Sequence, residues 1–467
     1  MVRLKGFVKV NEYIDFQKVL SLDNTGAVCE AAELKNQVLT TSDSDISWKI
    51  KHYISENGDD NNDGLSPEKP LKTVYGLKIG DILHGHAILF ERGGTFRIPK
   101  TIIANGGLFY GAYGSGEKPK LLGSIRDYAD PNIWSEKEKD IWVLKLPLSS
   151  ASMMNFNNDT YLGVKKALYS EVVDNGDFYH DTDEGVLYLK CSLGNPGSVF
   201  DNIEIATTSY IFKTNNTNNV TIENLCMKYA ACHGIICADV NDITIRNCEI
   251  GWVGGIFVKD SLENRYGNAI EFWYRAENII VENCWIYQAF DAALTFQGDG
   301  PGITTFKNIH FENNLIEYCS MNFEYWVRFF NEKREKMQIG FMHGIRFCDN
   351  ILRCAGYGWG GIQRLVKPDQ AFLLCWNTVF REDVMKDFYI MDNIFDTADC
   401  SMIYAIPPSM QKGLYVTHNS YFQREPTGKN THNQIIRVLD INAHNQTEFE
   451  DAIRLFDSKP NVIKWMQ

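Results

Sequence analysis

Two carboxylates stand where the chain is otherwise apolar. Asp291 interrupts Ala289-Phe290-Asp291-Ala292-Ala293-Leu294, and Glu271 interrupts Ala269-Ile270-Glu271-Phe272-Trp273. A third acid, Glu324, lies in Asn322-Phe323-Glu324-Tyr325-Trp326. An acid in such a run is either desolvated, with a displaced pKa, or a structural acceptor for backbone N–H groups. Acids in unlike surroundings can divide labour: one keeps a proton and donates it, another stays ionised as nucleophile or base. Cleavage of a glycosidic bond needs two such groups, roughly 5 to 9 Å apart. Glu271, Asp291 and Glu324 are therefore the catalytic candidates. Trp273, Trp326, Tyr357 and Trp359 could stack on sugar rings, and Gln297, Gln363 and Arg364 could bond hydroxyls or a carboxylate. His343, in Met342-His343-Gly344, reads either as a further acid or base or as a structural histidine.

For these residues to meet, distant segments must be stacked, and the sequence carries a repeat that would stack them. Asn247-Cys248-Glu249-Ile250, Asn283-Cys284-Trp285-Ile286, Asn313-Asn314-Leu315-Ile316 and Asp349-Asn350-Ile351-Leu352 align on one polar slot, at spacings of 36, 30 and 36 residues. Alternating apolar residues precede each slot, as in Ile279-Ile280-Val281. A coil of such a repeat cannot bury its inward face alone, so successive coils stack like residues into ladders. Ile250, Ile286, Ile316 and Leu352 are expected to form an aliphatic ladder and the Asn or Asp slots a turn ladder. Counting from the slot places Asp291 in a column with Met321 and Tyr357, and Gln297 in a column with Val327 and Gln363. The expected fold is all-β, a right-handed parallel β-helix. Residues 1–50 form an accessory segment with weak strand signals at Gly26-Ala27-Val28-Cys29, 51–430 the solenoid, and 431–467 a carboxyl-terminal cap. A helix in the cap starts with capping-box spacing at Thr447. A hairpin is expected across Gly176 to Leu189, and a short helix at Pro67.

Composition narrows the partners. The net charge of −13 over 467 residues repels phosphate backbones and argues against nucleic acid. No apolar stretch is long enough to span a membrane. Aromatic residues make up 13% of the chain, enough for a sugar-stacking surface or for the filling of a long core. The 12 cysteines follow structural slots and read as buried free thiols; Cys232 and Cys237 lack the second pair that zinc would need. No cofactor is expected. Asp59, Asn61, Asp63 and Gly64 match the first half of a calcium loop, but Pro70 stands where the closing Glu belongs. Met1 to Lys9 lacks the apolar centre of a secretory signal, which fits a cytoplasmic protein or a processed mature form.

His52-Tyr53-Ile54-Ser55 through Pro70-Leu71-Lys72-Thr73, Glu91-Arg92-Gly93-Gly94-Thr95-Phe96, Gly111-Ala112-Tyr113-Gly114, Gly267 to Trp273 and Gly356 to Arg364 together resemble the bacterial right-handed β-helix repeat proteins, over roughly residues 52 to 460. That group includes glycoside hydrolases, polysaccharide lyases, uronate epimerases and phage tailspikes, and fold does not choose among them. The resemblance implies an oligo- or polysaccharide partner. A glycoside hydrolase is the leading expectation. The alternatives are a lyase or epimerase, for which Lys259, Arg265 and Arg275 near Glu271 would supply positive charge, and a non-catalytic glycan-binding protein. The loops Val258 to Tyr266 and Trp326 to Gln338 are expected to wall the cleft.

Overall fold

The computed structural model describes residues 6–10, 26–44, 48–77, 84–259, 261–298, 303–327, 340–364, 370–375, 384–399, 401–424 and 434–466. From residue 50 onward the chain winds into a right-handed parallel β-helix. One face carries the pairings of His233–Arg246, Ile270–Glu282, Ala292–Gly298, Met321–Val327 and Ala371–Leu374. The long strands His233–Arg246 and Ile270–Glu282 bend at left-handed residues, Asp242 at φ 54° and Asn278 at φ 55°, and continue onto a second face with Thr305–Glu312, Phe341–Cys348 and Met385–Met391. A third face stacks Cys226–Lys228, Glu249–Val253, Trp285–Ala289, Leu315–Glu317, Ile351–Ala355, Ile394–Ala398 and Ser420–Arg424, ending on Val462–Met466.

The polar slot is a corner, and its chemistry is explicit. Asn247, Asn283, Asn313 and Asp349 have φ of 55°, 50°, 54° and 59°, the left-handed region that Asn and Asp tolerate best. The ladder that bonds neighbouring backbones lies one residue later, inside the rod. Asn314 N–H donates to Asn350 Oδ1 at 3.0 Å, Asn350 N–H to Asn393 Oδ1 at 3.0 Å, Asn393 N–H to Asn419 Oδ1 at 2.9 Å, and Asn419 N–H to Asp457 at 3.1 Å. Cys248 and Cys284 fill the same position in earlier coils as buried thiols; among the described cysteines none forms a disulfide, and only Cys29 is exposed. Ile250, Ile286, Ile316 and Leu352 stack in register and are fully buried. Each such side chain contributes about 2 kcal/mol of burial.

Three stretches depart from expectation. Gly26–Thr40 is a helix, not a strand; it lays Ala31, Leu34 and Val38 on Leu315 and Ile351 of the third face. The region after Pro67 is a turn, and the short 3-10 segment falls at Val74–Gly76. Within the span 51–430, residues 124–206 leave the rod. They supply three strands of a four-stranded sheet, the fourth being Val8–Lys9, and a five-stranded sheet that contains the expected hairpin Asp177–Asp181 with Val186–Lys190. This insertion has its own core, with Trp134, Phe156, Phe178, Leu187 and Phe200. It leaves and re-enters at one point, where Thr207 and Thr208 N–H both bond Gly123 O, at 3.1 and 3.0 Å. At the other end the helix Gln446–Phe456 buries Phe449, Ile453 and Phe456 over the last coil; its cap is Asn445, which accepts Glu448 N–H at 3.0 Å, rather than Thr447. No described helix is long and apolar enough to cross a membrane.

Candidate active site

Strand alternation sends Ile270, Phe272, Leu294, Phe296, Phe323 and Tyr325 into the core and their neighbours out. Two outward columns result. Glu271, Thr295, Glu324 and Leu374 stack in one; Trp273, Gln297 and Trp326 stack in the other. Glu271 and Glu324 are thus two rungs apart, about 9.6 Å between backbones, with the Thr295 hydroxyl between them.

Their surroundings differ. Glu271 is 4% exposed and receives three bonds: His233 Nε2 at 3.0 Å, Asn268 Nδ2 at 2.9 Å and Gln297 Nε2 at 3.2 Å. Burial works against its charge, but His233 and the two amide donors outweigh that and hold its carboxyl below the usual range. Burial disfavours a charge on His233, but the Glu271 carboxylate beside it outweighs that and holds its pKa well above the ordinary imidazole value. Asn268 N–H points at Nδ1 at 2.9 Å, so in the neutral ring Nδ1 is the acceptor. In either protonation state Nε2 donates to Glu271. Tyr210 stacks on its ring at 5.6 Å between centroids, and Tyr266 leans on it at 5.7 Å.

Glu324 has the opposite setting. Among the described residues Trp326 Nε1 at 3.1 Å and the Thr295 hydroxyl at 3.2 Å reach it. Leu374 covers it from the next rung, beside the apolar group of Ala292 and Met321. Burial, then the negative charges of Asp291 and Glu271, push its pKa up to about 8. A carboxyl shifted in that direction keeps its proton at neutral pH. Asp291 sits at the turn before Ala292–Gly298, with its N–H on Gly267 O at 3.1 Å. Its Oδ1 is paired to Arg364, whose Nη2 also donates to Phe290 O at 3.2 Å. Trp273 and Trp326 meet edge to face at 6.1 Å on the same wall.

The structure therefore brings together Glu271, Asp291, Glu324, Trp273, Gln297, Trp326 and Arg364, and sets four expected residues apart. His343 belongs to the second face, in register with Lys307 and Lys386 and stacked on Phe341 at 4.6 Å. Tyr357 lies toward Arg424, whose charge it influences, several coils along. Trp359 is 1% exposed, bonds Gln288 O through Nε1 at 2.7 Å and packs on Phe290, so no sugar can reach it. Gln363 lies in the short helix Trp359–Gln363 and bridges rod and insertion, accepting from Arg265 Nη1 at 3.1 Å and donating to Gly163 O at 2.7 Å. The slot count failed here because the chain between corner and strand varies: Met321 pairs with Ala292, not Asp291, and Gln297 with Trp326, not Val327. The glycines of this turn do permit a close approach, but to backbone. A Cβ at Gly358 would lie 1.7 Å from Tyr318 O, and one at Gly360 2.1 Å from Phe290 O.

His233, Asn268 and Thr295 escaped the sequence reading. The signal for His233 was an alignment of Gly234-Ile235 on Ala269-Ile270, which puts it one rung before Asn268. Of the expected walls, Ile256–Phe257 and Arg265–Tyr266 form an antiparallel hairpin that delivers Tyr266 to His233; Arg328 to Lys336 lies outside the described residues. Asp59 and Asp63 each accept a backbone N–H two residues on, both at 2.9 Å. Among the described residues no group of three or more His, Cys, Asp or Glu could hold a metal ion.

No protein-family model matches the chain, and no curated protein matches it. Solved structures do. A glycoside hydrolase superposes with TM-score 0.45 at 10% identity, over 89% of this chain and 96% of that one. The GH136 lacto-N-biosidase from Eubacterium ramulus gives 0.34 at 12%, over 89% and 67%. A family 28 exopolygalacturonase from Yersinia enterocolitica gives 0.36 at 8%, over 89% and 78%. At such identities the likeness is one of fold.

Proposed function

We propose that this chain is a glycoside hydrolase acting on an uncharged oligo- or polysaccharide. The observation that carries the reading is Glu324, buried under Leu374 in the same outward column as Glu271, its pKa raised by burial and by the charges of Asp291 and Glu271, on a face walled by Trp273 and Trp326. Glu324 donates its proton to the leaving-group oxygen. Asp291 is the base or nucleophile: it is the more exposed of the other two acids, and its contact with Arg364 uses a single oxygen. Glu271, tied by three donors, is the fixed negative charge that favours positive charge developing on the sugar ring. Trp273 and Trp326 supply stacking surface.

A lyase reading needs positive charge to neutralise a uronate. Lys259 is exposed, and the three arginines nearby are committed elsewhere. Arg364 holds Asp291, Arg275 holds Asp239 at 2.7 Å, and Arg265 donates to Gly255 O, Gln363 and Ser152 O. The test is a panel of neutral and uronate-containing glycans, assayed for reducing ends and for the ultraviolet absorbance of unsaturated uronates. Reducing ends without absorbance, lost in both Glu324→Gln and Asp291→Asn, are expected. Turnover unchanged in both variants, or unsaturated product, would overturn the assignment.

A further inference from the structure

A trough of about 1110 Å³ opens on the third face of the rod, away from the acids. Its floor is the outward column that runs in register from Thr95 through Lys120, Cys226 and Glu249 to Trp285. Four rung spacings make it about 19 Å long. The helix Gly26–Thr40 walls one side through Asn36, and the insertion walls the other through Asn158 and Asn202.

The lining is dense in polar groups and close to balanced in charge, with the five cations Lys35, Arg97, Lys118, Lys120 and Lys228 against the four carboxylates Glu117, Asp159, Glu204 and Glu249. Three ion pairs line it: Arg97 with Glu204 at 2.5 Å, Lys228 with Asp159 at 2.5 Å, and Lys120 with Glu117 at 2.9 Å. Pairing removes the net field that would select an anion or a cation. It leaves each carboxylate with unused lone pairs and each ammonium with unused N–H donors. A lining of that kind, with amides on both walls, fits a chain of hydroxyl groups. At the end of the floor the Trp285 ring is stacked on Tyr287 at 4.1 Å and packed beside Leu34 and Val38 of the helix, with the Lys35 ammonium over the ring, 3.6 Å from its centre. Lys35 rides on a long stem and can yield the face it covers to the C–H face of a sugar.

We infer that this trough is a second, non-catalytic binding site for an uncharged oligosaccharide, with one ring on Trp285 in place of Lys35. The choice of ligand rests on the glycan-cleaving reading above; the site itself does not involve the acid cluster. The test uses full-length Glu324→Gln, to prevent turnover, titrated calorimetrically with hexasaccharides of glucose, xylose, galactose and N-acetylglucosamine. Two binding events per chain are expected with at least one probe. Asn36→Trp, an exposed helix position that plugs the trough, should remove one event and leave the other. Lys35→Ala should tighten the same event about threefold by vacating the ring. In otherwise unaltered protein, Asn36→Trp should leave turnover of a short aryl glycoside unchanged and raise KM for polymer about tenfold. A single event that Asn36→Trp does not affect, weaker binding in Lys35→Ala, or no binding of any probe at millimolar concentration would overturn the inference. Persistent hydrolysis by Glu324→Gln would instead overturn the catalytic reading, while the effect of Asn36→Trp would still judge the trough.

Discussion

Glu271 and Glu324 occupy the same column of the same sheet, yet their protons are set in opposite directions. The cause is the company each keeps: His233 and two amide donors outweigh burial at Glu271, whereas at Glu324 burial beside Leu374 and the charge of Asp291 outweigh the bonds from Trp326 and Thr295. With Glu324 as acid, kcat/KM should fall on the basic side with an apparent pKa of about 8. Glu324→Gln should lower kcat by roughly a hundredfold to ten-thousandfold. It should also change stability with a definite sign. The folded pKa lies above the unfolded one, so the protonated acid is tolerated at low pH, and wild type loses stability as pH rises from about 5 through 8. Gln cannot ionise, so the variant should melt above wild type at pH 8 and level with it at pH 4; equal melting at both would mean that Glu324 is solvated. His233 is a positioning residue for Glu271. His233→Ala removes the Nε2 donor, so the acid limb of the pH profile should move upward, a change that a merely structural loss would not produce. Much of this site was legible at this scale, because Glu271, Asp291 and Glu324 interrupt apolar runs. Their division of roles was not, since it depends on donors such as His233 and Asn268 supplied by other coils.

At the level of the repeating element, the corner uses two adjacent residues for two different purposes. The first adopts the left-handed conformation; the second buries an amide that both accepts from one coil and donates to others. Asn350 accepts from Asn314 N and Nδ2, both at 3.0 Å, and gives its own Nδ2 to Phe311 O at 2.8 Å and to Asn393 Oδ1 at 3.0 Å. Asn350→Ala strands several buried partners and should cost about 3 kcal/mol, whereas Asp349→Ala, which strains one backbone angle, should cost about 1 kcal/mol. Urea unfolding of the two variants checks the order; the reverse would mean that backbone strain, not the amide ladder, fixes the coil. The sequence exposed this repeat because ladders demand like residues at each coil. It did not reveal the lengths of chain between corner and strand. The strand begins 9 residues after Asn283 at Ala292, 8 after Asn313 at Met321 and 22 after Asp349 at Ala371, with the helix Trp359–Gln363 in the added length, so the columns that had joined Gln363 to Gln297 and Tyr357 to Asp291 do not form.

Across the whole molecule, the rod and the insertion have separate cores and one shared seam. The insertion left no trace in the repeat because its strands pair mostly antiparallel and begin and end at the same coil, beside Gly123. The seam explains why Trp359 and Gln363 are buried. Phe290 and Trp359 pack against Met153 and Leu162 of the insertion in one apolar cluster, and Gln363 bonds Gly163 O, Lys165 N and Arg265. Arg265 is itself buried, and among the described residues its guanidinium is held by neutral oxygens and by the rings of Phe257, Phe290 and Trp359, with no carboxylate partner. Gln363→Leu removes one of them and frees two backbone groups of the insertion, at a cost of about 2 to 4 kcal/mol. Because the cores are separate, that loss should open the seam rather than the rod. Hydrogen exchange should quicken in Val164–Lys165 and at Arg265–Tyr266, while Trp285–Ala289 and Leu315–Glu317 keep their protection. Turnover should fall as well, since Arg364, next in the chain, orients Asp291. If exchange quickened equally along the coils, rod and insertion would unfold as one unit, and the seam could not be the weak joint that the two cores imply.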